Sequence, residues 1–194
     1  MTDYRARVDR KAAQDMLDAF VSAGAESFDL TITTRQGDKH RFQRQQSPDR
    51  LRESIPALLE DAAAREQNVI VRPHAARAVF IQLDDLNREA VERIKPAAFL
   101  SLHTSPGNYQ AWVALKTGDG DKDFARRLRK GAGADDTASG ATRVAGSLNF
   151  KDKYSARLPA RRNQPRHPRP DDRRRRAGEI RTGGSARATG SAFI

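Results

Sequence analysis

The chain contains no cysteine. Disulfides, thiolate metal sites and cysteine nucleophiles are thereby excluded, and a reducing cytoplasm is the expected compartment. Aromatic residues make up only 6%, so a core must rest mainly on aliphatic side chains and is not expected to use the whole chain. No apolar run approaches the roughly 18 residues of a membrane span, and no membrane partner is expected. Met1 to Arg5 are followed by no apolar stretch, so no secretory signal is expected. His40, His74, His103 and His167 form no HExxH or i,i+4 pair, which argues against zinc. The GxGxxG and GxxxxGK[ST] phosphate loops and the GxSxG nucleophile turn are also missing.

Positive charge, by contrast, is in excess. The 194 residues carry a net charge of +11, with a pI near 10.6, which makes a polyanion the default partner. The excess is concentrated at one end. Residues 156–194 hold eleven arginines, no lysine and three acids, Asp171, Asp172 and Glu179, a net of +8. Their apolar residues follow neither a two-residue nor a 3.6-residue period. Such a segment buries too little surface to offset its ordering entropy, so a disordered basic tail is expected. Its arginines suit nonspecific phosphate binding; the alternative is a solvated tail without a role. Residues 1–155 then form the folded domain.

Within that domain the pattern alternates between helix and strand. Ala13, Met16, Leu17, Phe20 and Val21 make one stripe of a helix over Asp9–Ala23, with Gly24 behind it. Ser27–Thr34 alternates as a half-buried strand and turns at Gln36-Gly37-Asp38 into a second strand, His40–Arg44. Ser47-Pro48 starts a helix, and Pro56 predicts a short turn followed by helix from Ile55 to Glu66. Val69–Val71, closed by Arg72-Pro73, and Ala78–Leu83, apolar except for Gln82, read as strands. Asn87–Lys95 reads as a helix. Ala98–His103 and Tyr109–Leu115 read as a hairpin around Thr104–Asn108. Asp121–Lys130 is a basic helix, and residues 131–146 read mainly as loop. The fold class expected is α+β, with a mixed, largely antiparallel sheet and packed helices.

Four groups can carry chemistry. Asp84-Asp85 follows an apolar strand, and carboxylates at a strand end suit divalent metals. Adjacent strand residues face opposite ways, so both reach one site only if the strand ends or twists at Leu83. The alternative is that Asp85 caps the next helix. Asp135-Asp136 lies in a Gly/Ala loop that can bring carboxylates to a metal or be a solvated turn. Ser105, Asn108 and Gln110 lie on a hairpin that can present a hydroxyl and N–H groups to phosphate. Trp112 shares a face with Gln110 and Ala114, which suits a core position better than base stacking. Arg143, Asn149, Lys151 and Lys153 suit a triphosphate, or form a solvated basic surface.

Four segments in this order resemble the RepB-like DNA primase domain of plasmid replication and mobilisation proteins, related to the archaeo-eukaryotic primases. They are Val69–Pro73, Val79–Leu86, Thr104–Val113 and Gly133–Lys151, and the resemblance runs from Leu51 to Tyr154. It implies a primase-like nucleotidyltransferase acting in plasmid replication or conjugal transfer. Asp84, Asp85 and Asp135 would be catalytic acids binding Mg2+ or Mn2+, with Asp136 a substitute for Asp135. Ser105, Asn108 and Gln110 would bind nucleotide, with Gln110 where the wider superfamily usually has histidine. Arg143 and Lys151 would face the triphosphate. The implied partners are single-stranded DNA template, nucleoside triphosphates, and plasmid replication or relaxase proteins. The family-like sequence stops near Leu158-Pro159, and the helical domain that some members carry next has no counterpart in the arginine pattern. Two rival readings keep the same residues: a non-catalytic DNA-binding factor, and a metal-dependent nuclease.

Overall fold

The computed structural model describes residues 8–118 and 123–150. Lys151, Lys153 and the arginine-rich segment, with the disorder expected of it, lie outside them. Helix α1 (Arg10–Ser22) begins where Asp9 accepts a hydrogen bond from the Ala12 N–H, the N-cap arrangement that satisfies an otherwise orphaned donor. Its stripe of Ala13, Met16, Leu17 and Phe20 is fully buried, and each of the three larger side chains contributes about 1.5–3 kcal/mol through burial. Phe20 is the hub. Its ring meets Phe28, Phe80, Phe99 and Trp112 edge to face, with centroids 5.0 to 6.1 Å away. Five of the chain's twelve aromatic residues form this one cluster.

Two antiparallel sheets meet around that hub. The first has the order β2-β1-β3-β7 and the second β4-β6-β5. Their strands are β1 (Ser27–Thr33), β2 (Lys39–Gln46), β3 (Asn68–His74), β4 (Ala78–Leu86), β5 (Leu100–Ser105), β6 (Asn108–Lys116) and β7 (Thr142–Arg143). Every pairing is antiparallel. The expected α+β class is therefore what the chain adopts, with its strands divided between two sheets. In the first sheet, Phe28, Leu30, Val69 and Val71 pack with α1 and with α2 (Pro48–Ala64). The second sheet is covered on both faces. Trp112, Leu100 and Leu102 join the α1 core, while Ile81, Leu83, Ala111 and Val113 face α3 (Arg88–Ile94) and α4 (Phe124–Ala132).

Three local expectations are corrected. Helix α2 runs unbroken from Pro48 through Pro56. Buried Leu51, Ile55, Leu59 and Ala62 lie on both sides of the proline, and their packing outweighs the roughly 3 kcal/mol that an interior proline costs. Strand β3 continues through Pro73, which pairs with Phe28. On its other side β3 meets only the two residues of β7, so at Pro73 it is an edge, where a missing N–H is tolerated. Strand β7 itself lies inside the stretch read as loop. Two residues carry no detectable period, and only the pairing with Ile70 and Val71 defines them.

Candidate functional site

The acids of β4 sit on a distortion of the strand. Leu83 pairs with Ala111 and Leu86 with Tyr109, so β4 carries one residue more than β6 over this step. That is a β-bulge, a device that re-aims side chains. Asp85 takes up the bulge at φ +55°, a left-handed conformation that Asp tolerates better than most residues. Its N–H donates to Asp84 Oδ1 at 3.0 Å. The strand thus twists at the acid pair and runs on to Leu86. Asp85 is not the cap of α3. Asn87 is, accepting from the Ala90 N–H at 2.8 Å. Asp85 is exposed and Asp84 half-buried. Strand alternation places Asp84 on the face of Phe80, Gln82, Gln110 and Trp112.

The second acid arrives from α4. Gly133 ends that helix in the left-handed conformation, and the chain turns back along β4. The Asp135 N–H donates to the Asp84 carbonyl at 3.0 Å. Further along, Gln82 grips the same loop: its Nε2 donates to the Ala141 carbonyl at 2.9 Å and its Oε1 accepts from the Gly140 N–H at 2.8 Å. Arg129 Nε donates to the Gln82 carbonyl at 3.1 Å, which ties α4 to the same strand. The Thr137 hydroxyl and N–H both donate to Asp135 Oδ1, at 2.7 and 2.8 Å. These bonds, with the charge of Arg129, outweigh slight desolvation and hold the Asp135 carboxyl below its usual range. Asp135 is therefore ionised at neutral pH. Asp136 is exposed.

The β5–β6 hairpin forms the neighbouring rim. Proline fixes the first residue of the Pro106-Gly107 turn, and Gly107 at φ +78° supplies the positive dihedral that a type II turn needs at the second. The Leu86–Tyr109 pairing puts this turn at the same sheet end as the acid bulge. Asn108 Nδ2 donates to Ser105 Oγ at 3.0 Å, so these two candidates hold each other. Gln110 is 3% exposed and accepts from Trp112 Nε1 at 2.8 Å. Trp112 is fully buried, as its face predicts. Arg143 lies in the other sheet, opposite Ile70, and Asn149 follows near the end of the described residues. Lys151 and Lys153 lie outside them.

The backbone bond between Asp84 and Asp135 thus joins the two acidic segments, and Asp85 adjoins them. Two residues of this neighbourhood escape a reading of the sequence, Gln82 and Arg129. The signals available for them are a lone polar residue inside an apolar strand and a basic helix leading into the acidic loop. Among the described residues no group of three His, Cys, Asp or Glu is arranged to hold a metal ion. Magnesium is commonly held by one or two carboxylates plus substrate phosphates rather than by an all-protein cage. Asp84 and Asp135 fit that donor chemistry. Among the described residues no helix is long and apolar enough to cross a membrane.

Comparison with known proteins gives the same architecture. The crystal structure of primase RepB' superposes with a TM-score of 0.62, at 24% identity, covering 80% of this chain and 56% of that one. The catalytic domain of primase RepB' in complex with initiator DNA gives a TM-score of 0.61, at 24% identity, covering 80% of this chain and 85% of that one. A DNA primase of Acidithiobacillus ferrooxidans is 32% identical over 124 residues, which cover 55% of this chain and 34% of that protein. The chain therefore spans about a third of that relative's length. Residues 33–162 match the RepB DNA-primase N-terminal domain, a range that encloses all four family-like segments, and the chain belongs to that family.

Proposed function

We propose that this chain is the catalytic part of a DNA primase-type nucleotidyltransferase, in which Asp84, Asp85 and Asp135 form the acidic centre. The observation that carries this reading is the Asp135 N–H bond to the Asp84 carbonyl, which joins two acidic segments distant in sequence within a chain of the RepB primase family. Asp84 and Asp135 would hold Mg2+ or Mn2+ together with the nucleotide's phosphates, and Asp85 would supply a further carboxylate from the bulge. A divalent cation bound there neutralises charge on the triphosphate and lowers the pKa of a primer hydroxyl.

The protein's own contribution is positioning and electrostatics. Gln82 and Arg129 keep the Asp135 loop against β4. Asp135 stays ionised through Thr137 and Arg129. The Ser105–Asn108 pair stiffens the hairpin rim, and Arg143, Lys151 and Gln110 are proposed to face the nucleotide. The template is single-stranded DNA, the setting plasmid replication or mobilisation, and residues 1–155 the catalytic domain.

The test is incorporation of labelled nucleotide on a single-stranded template with Mn2+ or Mg2+. Asp84→Asn keeps size and hydrogen bonding but removes the charge. It should lower the rate at least about a hundredfold, the scale expected when several kcal/mol of transition-state stabilisation disappear. Near-normal incorporation by the folded variant would overturn the assignment. A wild-type chain that binds DNA without incorporating nucleotide would establish a binding factor instead.

A further inference from the structure

The first sheet has one face buried under α1 and α2, while its other face lines an open cleft of about 690 Å³. On that face Phe42 pairs with Thr31, and Thr31 with Ile70. Lys39, Arg44 and Arg72 line the same cleft. One acid, Asp29, also lines it, but it is compensated: His74 Nε2 lies 3.0 Å from Asp29 Oδ2, and the Gln45 N–H donates to Oδ1 at 3.0 Å. The cleft therefore has a net positive lining.

Phe42 does not fit a purely structural role. It is 41% exposed, one of two large hydrophobic side chains so exposed among the described residues. It also stands on β2, the edge strand of its sheet. Charges on an edge strand guard against pairing with other chains, but an exposed aromatic there works against that protection. Lys39 Nζ lies 4.9 Å and the Arg44 guanidinium 5.7 Å from the ring centroid. Both cations stand over the ring, so they must swing outward for a base to take their place. An aromatic ring beside long cationic side chains is the combination that binds single-stranded nucleic acid, the ring stacking a base and the displaced cations taking the adjacent phosphates. The cleft shares one wall residue with the neighbourhood of the acids. Ala141, part of its wall, is the residue whose carbonyl accepts from Gln82, two positions before Asp84 on β4.

We propose that the open face of the β2-β1-β3 sheet is the track for single-stranded DNA, with Phe42 stacking a base and Lys39, Arg44 and Arg72 holding phosphates. The choice of DNA rests on the primase reading; the aromatic-and-cation geometry does not. Stacking on one ring with phosphate contacts reads no base edges, so binding is tolerant of sequence.

The experiment is fluorescence anisotropy of the full chain with a labelled oligothymidylate of about 15 nucleotides, titrated at several salt concentrations. Phe42→Ala should weaken binding about 5- to 150-fold, the range that one stacked base supports, and leave the salt slope unchanged. Arg72→Gln and Arg44→Gln should each lower the log–log salt slope by about 0.7 for every phosphate no longer neutralised. Phe42→Trp should retain binding and show emission quenched by the oligonucleotide, whereas the buried Trp112 of the wild type should not respond. Unchanged affinity in Phe42→Ala with unchanged slopes in the arginine variants would overturn the proposal and send the strand to the arginine-rich segment. Equal affinity for duplex DNA would overturn the stacking part. Incorporation reports separately: an active enzyme whose binding ignores Phe42 refutes the track alone, and Phe42-dependent binding without incorporation refutes the primase reading alone.

Discussion

Replacing Gln82 by leucine tests whether one buried amide holds the Gly140–Ala141 loop against β4. Gln82 is 2% exposed. Its side chain makes two bonds to the loop backbone, at 2.9 Å to Ala141 and 2.8 Å to Gly140. Leucine fills similar space but leaves an orphaned carbonyl and an orphaned N–H. If the loop stayed in place, each orphan would cost about 1–3 kcal/mol; a neutral hydrogen bond is worth only about 0.5–1.5 kcal/mol net. Release of the loop into water is the cheaper outcome, so stability should fall by about 1–3 kcal/mol in urea denaturation. The Arg129 bond goes to the Gln82 main-chain carbonyl and survives, so α4 should stay docked. Hydrogen exchange at the Gly140 amide should accelerate by about 5- to 150-fold, the same energy expressed as an equilibrium. Asp135 keeps its own N–H bond to the Asp84 carbonyl, so incorporation should fall far less than in Asp84→Asn. Gln82→Glu retains the acceptor for Gly140 but sets an oxygen against the Ala141 carbonyl, and should lose at least the Ala141 bond. A Gln82→Leu protein within about 0.5 kcal/mol of wild type, with unaltered exchange at Gly140, would refute the clamp.

Three further outcomes are expected. Gly146→Ala should destabilise the fold by at least about 3 kcal/mol in thermal denaturation. Gly146 has φ +77°, and an added Cβ would stand 2.1 Å from the Asp9 carbonyl oxygen; a loss below about 1 kcal/mol would mean that this junction with α1 yields easily. Asp85→Gly should stay within about 1 kcal/mol of wild-type stability, since glycine suits φ +55°, whereas Asp85→Val should lose about 1–2 kcal/mol. Abolished incorporation in the stable glycine variant would assign the carboxylate, rather than the bulge, to catalysis. For Asp29, burial opposes ionisation, but the Gln45 N–H, His74 and Arg44 outweigh it and lower its pKa below the ordinary 3.8. Its contribution to stability is therefore complete above pH 3.8 and lost as the pH falls through the lower folded value. Wild type should lose stability more steeply than Asp29→Asn over that acid window in denaturant titrations, and parallel profiles would exclude the linkage.

Most elements are legible in the sequence because their signals are local. The α1 stripe, the alternation of Ser27–Thr33 and the Pro-Gly turn before Asn108 each follow from residues within a few positions of one another. Departures from that pattern have nonlocal causes. Pro56 breaks helices in isolation, but here buried neighbours on both sides hold α2 together. Residues 142–143 form a strand because β3 offers unpaired groups there. Asp85 has the chemistry of a helix cap, yet Asn87 lies at the position from which a side chain reaches the Ala90 N–H.

The candidate site divides along the same line. The residue types are legible from the chain alone: adjacent carboxylates after an apolar strand, a second acidic pair in a small-residue loop, and the ordered segments that resemble the primase family. These depend on composition and short spacing. The meeting of the two acidic segments belongs to the folded chain, because it requires α4 to end at Gly133, the loop to fold back, and the Asp135 N–H to find the Asp84 carbonyl. Folding likewise makes Gln82 a clamp and leaves Phe42 exposed in a basic cleft. A hydrogen bond between residues far apart in the chain leaves no period, and a sheet face is assembled from strands whose order the sequence does not display.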